Sequence, residues 1–81
     1  MDIVFSSHGY DLHIDNEFVA EAFATLPQME QSILILHCTL GLAAGEIGNL
    51  VGMSRRAVQR HRTRALQELR EALSALMPKG G

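Results

Sequence analysis

Residues 43–66 read Ala-Ala-Gly-Glu-Ile-Gly-Asn-Leu-Val-Gly-Met-Ser-Arg-Arg-Ala-Val-Gln-Arg-His-Arg-Thr-Arg-Ala-Leu, and this stretch decides the fold. A short helix from Ala43 or Ala44 to Val51 carries Ile47 and Val51 one turn apart on its inner face. Gly48 leaves room for a following helix to cross closely. Gly52 permits the positive φ with which such a helix ends. Met53 plugs the junction, Ser54 is placed to cap the next helix, and Val58 is that helix's first core anchor. With Ser54 set aside as a cap, six positions therefore agree with one geometry, a helix-turn-helix.

The second helix has no breaker until Pro78, so the spacing predicts a long helix over about 55–77. Each helical residue turns about 100°. With Arg55 at zero, Val58, Ala65, Leu69, Ala72 and Leu76 gather around about 300°, which marks the buried side. Arg56, Arg60 and Thr63 lie within about 40° of the opposite direction, Gln59 and Arg64 flank them, and Arg55 sits at the helix mouth. Arg62 falls near the core boundary, where an intramolecular pair with Glu46 is as reasonable as an outside contact. His61 also borders the core, and a packing role or a phosphate contact both suit it.

These residue types suit duplex DNA. Arginine binds guanine O6 and N7 through two parallel hydrogen bonds, and glutamine does the same for adenine. Arg55, Arg56, Gln59 and Arg60, near the helix start, are the candidates for base edges. Arg64, one turn further on, and Ser54 with the free N–H groups of the helix start are candidates for phosphate. Between Arg55 and Arg64 there are no acids to neutralise the arginines along the helix.

Working outward from this stretch, Pro27 starts a helix running to about Leu40, with Met29, Ile33, Leu36 and Leu40 inward and Gly41 as its stop. Before it, Asp15 or Asn16 caps a helix to about Leu26, with Phe18, Val19, Ala22, Phe23 and Leu26 on one face. Residues 3–14 alternate loosely through Ile3, Phe5, Tyr10, Leu12 and Ile14. They form either two short strands around a turn near Gly9 or an extended arm. The expected architecture is all-α: a small helix-turn-helix bundle of about four helices with a long C-terminal recognition helix. It comprises an N-terminal arm or hairpin at 1–15, a helical domain at 16–77 with the helix-turn-helix at about 43–66, and a tail at 78–81.

Charge is distributed with the same polarity. The chain has 81 residues, 47% apolar, with a formal net charge of −2. All seven basic residues lie from Arg55 onward, five of them between 55 and 64. Seven acids, Asp2, Asp11, Asp15, Glu17, Glu21, Glu30 and Glu46, lie before Arg55. A cluster of arginines on one helix face is an electrostatic footprint for a polyanion. The acid-rich half repels DNA and is left free for a protein partner.

From Leu26 to about Leu73 the chain resembles region 4 of the sigma-70 family of RNA polymerase sigma factors, especially the extracytoplasmic-function type. The residues that carry this are Leu26-Pro27 with Glu30, Ile33-Leu34, Gly41-Leu42, Glu46-Ile47, Gly52-Met53-Ser54, Val58 and Arg64-Ala65-Leu66-Gln67-Glu68-Leu69-Arg70. The resemblance implies recognition of a promoter −35 element by the helix-turn-helix, and contact with the polymerase flap. By position it assigns base reading to Arg55, Arg56, Gln59 and Arg60. Met29 and Gln31 stand where the family often has arginine. Ala43 replaces the usual Ser/Thr cap, a loss of about 0.5–2 kcal/mol unless something compensates. Region 2, which melts the −10 element, lies outside the resemblance. The expected role is therefore half of a split sigma factor, a co-regulator, or a small DNA-binding regulator, with RNA polymerase core or another sigma fragment as partner. Residues 54–62 also look like the recognition helix of LuxR-type regulators, which bind as dimers. Leu26-Pro27 and Arg64-Ala65-Leu66 favour the sigma resemblance.

Other classes have less support. No phosphate-cradling loop, paired-carboxylate site or nucleophile with its base is present, so the expectation is not an enzyme, with no cofactor. His37 and Cys38 are adjacent on a helix, no metal-ligand spacing occurs, and Cys38 reads as a small core residue. Leu66 and Leu73 either pack beneath the amino-terminal helix or form a patch for polymerase or for a homodimer through the C-terminal helix. A protein-interaction module, whose arginines only solubilise it, is the alternative without DNA. The longest apolar run, Ile33–Leu36, is far too short to span a bilayer. With one cysteine and no basic leader after Met1, the reading is cytoplasmic.

Overall fold

Alternation at the amino terminus produces a hairpin rather than an arm. In the computed structural model, which describes residues 2–76, β1 spans Ile3–Ser7 and β2 spans Tyr10–Ile14. They pair antiparallel with Ile3 opposite Ile14, Phe5 opposite Leu12 and Ser7 opposite Tyr10. His8 and Gly9 form the two-residue turn with φ of 53° and 83°, the pattern of a tight hairpin loop. The sheet corrects the expected all-α class: the chain is mostly helical with a two-stranded sheet. A hairpin this short is marginal alone, and here Phe5, Leu12 and Ile14 gain a core to pack on. On the outer face, His13 Nδ1 lies 2.6 Å from Asp2 Oδ2. That hydrogen bond, then the Asp2 charge, raises the His13 pKa above its ordinary value. The small stabilisation is complete below the ordinary histidine pKa and lost as pH rises through the raised one. An NMR titration of His13 is expected to midpoint lower in Asp2→Asn.

Four helices follow: α1 Glu17–Ala24, α2 Gln28–Leu40, α3 Ala44–Val51 and α4 Arg55–Leu76. Asn16 caps α1, its Oδ1 accepting from the N–H groups of Phe18 (2.9 Å) and Val19 (3.2 Å). Asn16→Ala is expected to cost about 1 kcal/mol in a urea melt. Pro27 sits just before α2, its carbonyl accepting the first helical bond from Gln31 N–H. The Gln31 side chain donates back to the Leu26 carbonyl at 3.0 Å, tying the α1–α2 link to the helix. α2 ends at Gly41 in the left-handed conformation.

α2 is the central element, and its packing differs from a single stripe. Leu34 and Ile35 join Phe23, Leu26 and Ala65 in one core cluster, covered by the hairpin and Leu69. Ile33 and Leu36 join Ala44, Ile47 and Val58 in a second, with Leu42, Val51 and Met53 at its margin. All four residues from 33 to 36 are buried because the helix is covered by the hairpin on one side and by α3 and α4 on the other. Met29 and Leu40, expected inward, are each 41% exposed, since they lie beyond the covered turns. Cys38, expected in the core, is exposed for the same reason. Among the described residues no helix is long and apolar enough to cross a membrane. The expected tail and the final residue of the 16–77 domain lie outside the described residues.

Candidate nucleic-acid interface

The interface is built on how α3 hands over to α4. Gly52 ends α3 at φ 74°, and Met53 N–H donates to the Gly48 carbonyl at 2.9 Å, closing the turn tightly over Gly48. A Cβ at Gly48 would collide with the Met53 carbonyl oxygen, so the constraint there is the turn's backbone rather than α4 itself. The N-terminus of α3 lacks a side-chain cap at Ala43, but Glu46 Oε1 accepts from Ala43 N–H at 3.0 Å, which keeps the other half of a capping box. Ser54 caps α4, its Oγ accepting from Ala57 N–H at 3.2 Å. The hydroxyl proton of Ser54 remains available to an outside acceptor.

Val58 and Ala65 are fully buried and fix the rotation of α4. Arg55, Arg56, Gln59, Arg60, Thr63 and Arg64 are consequently all exposed. Arg56, Gln59, Arg60, Thr63 and Arg64 line one shallow depression with Gln67, a residue not singled out in the sequence. Ser54 and Arg55 stand outside it at the helix mouth, where the Arg55 stem lies beside Gly45 of α3. A second depression, lined by Thr63, Leu66, Gln67 and Arg70, continues the first along the helix. Among the described residues Arg55, Arg56 and Arg60 make no ion pair with an acid.

Three side chains border this face. Arg62 is half-buried but makes no ion pair with Glu46, whose carboxylate is engaged by the α3 N-terminus. Arg64, 71% exposed, is held by Glu68 one turn on, Nε to Oε1 at 3.1 Å. Of the two roles open to His61 the structure shows the inward one, its Nδ1 lying 3.3 Å from Oε2 of Glu30. Glu30 is only 3% exposed, and its Oε1 has no hydrogen-bond partner. A half-buried histidine bordering arginines thus contacts an acid on α2. The signal was present in the sequence, since Glu30 stands one turn before Ile33 and Leu34, but the partner depends on where α4 crosses. Leu66 does not pack beneath α1; it is exposed. Among the described residues no three His, Cys, Asp or Glu side chains gather as a metal would require.

A short helix, a glycine turn and a long helix that presents arginines opposite its buried edge define a helix-turn-helix protein. Residues 19–69 match the family model described as Sigma-70, region 4, and the chain belongs to that family. It is 37% identical over 59 residues to the ECF RNA polymerase sigma factor ShbA of Streptomyces griseus subsp. griseus, covering 73% of this chain. The match spans 31% of that relative's length. No solved structure matches. Of the two resemblances in the sequence, the sigma one therefore holds. The hairpin and the last turns of α4 lie outside the matched region.

Proposed function

We propose that this chain recognises a promoter-like duplex through α4, in the manner of a −35-reading module, and acts together with RNA polymerase. The observation that carries the reading is that Arg56 and Arg60 on the helix side opposite Val58 and Ala65, with Arg55 at the helix mouth, are exposed and, among the described residues, without acidic partners. In this reading Arg56 and Arg60 take guanine edges, Gln59 an adenine edge, and Arg55, Thr63 and Ser54 position the helix on the backbone. Arg64 reaches a phosphate only by sharing its guanidinium with Glu68. The Glu68 contact is an exposed i,i+4 pair, of the kind worth at most about 1 kcal/mol, but a phosphate drawn to Arg64 also meets the carboxylate of Glu68 itself.

The test is the variant Arg56→Ala plus Arg60→Ala, titrated by fluorescence anisotropy against a duplex selected by the wild-type chain. Two guanine-reading arginines at about 1–3 kcal/mol each predict a loss of at least about 30-fold, with circular dichroism unchanged. Unchanged affinity would move the recognition face elsewhere. The polymerase partnership is tested separately with a tagged chain and bacterial polymerase core: retention of core supports it, and duplex binding without retention replaces it with a stand-alone regulator. Leu66, 48% exposed on α4, is the side chain through which a second copy would dock. A strictly monomeric mass in light scattering at high concentration removes self-association from the reading.

A further inference from the structure

The charges of α4 divide between two flanks around the helix. The two acids of the helix, Glu68 and Glu71, project on the same flank as Arg64, at about 160–220° on a wheel with Arg55 at zero. Glu68 engages Arg64, and Gln67 Nε2 reaches Glu71 Oε1 at 3.5 Å. That flank is therefore neutralised or acidic. The opposite flank carries Arg70 at about 60°, in line with Arg56 and Thr63. Arg70 is exposed and, among the described residues, makes no ion pair. No acid stands three or four residues from it in either direction, since those positions are Leu66, Gln67, Leu73 and Ser74. The depression it lines with Thr63 and Gln67 shares those two residues with the arginine depression, so one surface runs from Arg56 to Arg70.

We infer that Arg70, rather than Arg64, is the distal phosphate anchor, and that the bound duplex leans toward the Thr63–Gln67–Arg70 flank of α4. The inference rests on the DNA-binding reading above. Arg70 lies about 21 Å along the helix from Arg56. That is too far for the same few base edges, but suited to the phosphates bordering a groove about 12 Å wide as a straight helix leaves it. A duplex leaning the other way would bring phosphates against Glu68 and Glu71. Arg70 carries no base specificity in this arrangement, because a phosphate contact positions the helix without reading sequence.

The experiment measures the salt dependence of duplex binding for wild type, Arg70→Ala, Arg70→Lys and Arg64→Ala. Loss of one phosphate contact lowers the magnitude of the log K against log salt slope by about 0.9. Arg70→Ala is expected to show that drop and a similar fold-loss on specific and random duplexes. Arg70→Lys restores the slope, because a point charge suffices for phosphate, and Arg64→Ala leaves it within about 0.3 of wild type. If Arg70→Ala keeps the wild-type slope while Arg56→Ala plus Arg60→Ala loses binding, the inference is overturned and the DNA reading stands. If the slope drops for Arg64→Ala instead, the duplex leans the other way. If wild type shows no salt-dependent binding, both readings fall together.

Discussion

Gly48→Ala is expected to destabilise the fold while Gly45→Ala, one turn earlier on the same helix, stabilises it. Both changes add one methyl group and gain about 1 kcal/mol of helix propensity. At Gly45 the added Cβ would meet the Arg55 side chain at 3.7 and 3.9 Å, an ordinary contact with a flexible group. At Gly48 it would strike the Met53 carbonyl oxygen and stand 3.4 Å from the Met53 carbonyl carbon, both in backbone. The turn cannot yield without loosening the bond from Met53 N–H to the Gly48 carbonyl and shifting α4 from its seat on Val58. Overpacking of this kind costs roughly 1–3 kcal/mol or more, and here no side chain can rotate away. Thermal melts are expected to place Gly48→Ala about 10 °C below wild type and Gly45→Ala level with it or a few degrees above. Equal shifts for the two variants would mean that the turn is not the tight element described here.

His61→Ala has the second largest expected effect, through Glu30. The Glu30 side chain is buried with His61 as its hydrogen-bonded partner, and removing His61 leaves both of its buried oxygens without one. For fully buried pairs the loss is about 3–5 kcal/mol. The His61 side chain is 33% exposed, so water can reach the vacated space, and about 1–3 kcal/mol is the expected loss. Changing both residues to apolar ones of similar size, Glu30→Met with His61→Leu, is expected to recover most of it, since no unpaired carboxyl oxygen then lies buried. Urea denaturation of the two singles and the double closes the cycle. Strictly additive effects would show that the two side chains do not act as a pair.

How much of this was legible in the sequence follows from how narrowly each position is constrained. The α3–turn–α4 unit could be read because Gly48, Gly52, Ser54 and Val58 each answer a separate demand: close approach, positive φ, a cap and a core anchor. The outward phase of Arg56, Arg60 and Thr63 followed from periodicity, because α4 buries a single edge. In α2 the periodicity does not show where the cover stops, so Met29, Leu40 and Cys38, which lie beyond the covered turns, are exposed although their residue types point inward. The hairpin was half legible: alternation suggested strands, but whether they pair depended on α2 offering Leu34 and Ile35 as a floor. The pairings were least accessible. A pair between Glu46 and Arg62 is one of two readings open in the sequence, and the Ala43 N–H, which has no capping side chain, claims the carboxylate instead. Arg64 appeared free because Glu68 falls just past the arginine cluster. Glu30 and His61 are separated by 31 positions, and only the crossing of α4 over α2 brings them together.

Whether the exposed face of α4 binds a nucleic-acid backbone is decided by the affinity of the wild-type chain for duplex DNA across a series of salt concentrations. Arg55 and Arg70 neutralising phosphates, at about 0.9 per contact, predict a slope of log K against log salt of roughly −2. A slope indistinguishable from zero, or no binding at the lowest salt, would contradict the account and leave the arginines as a solvated surface.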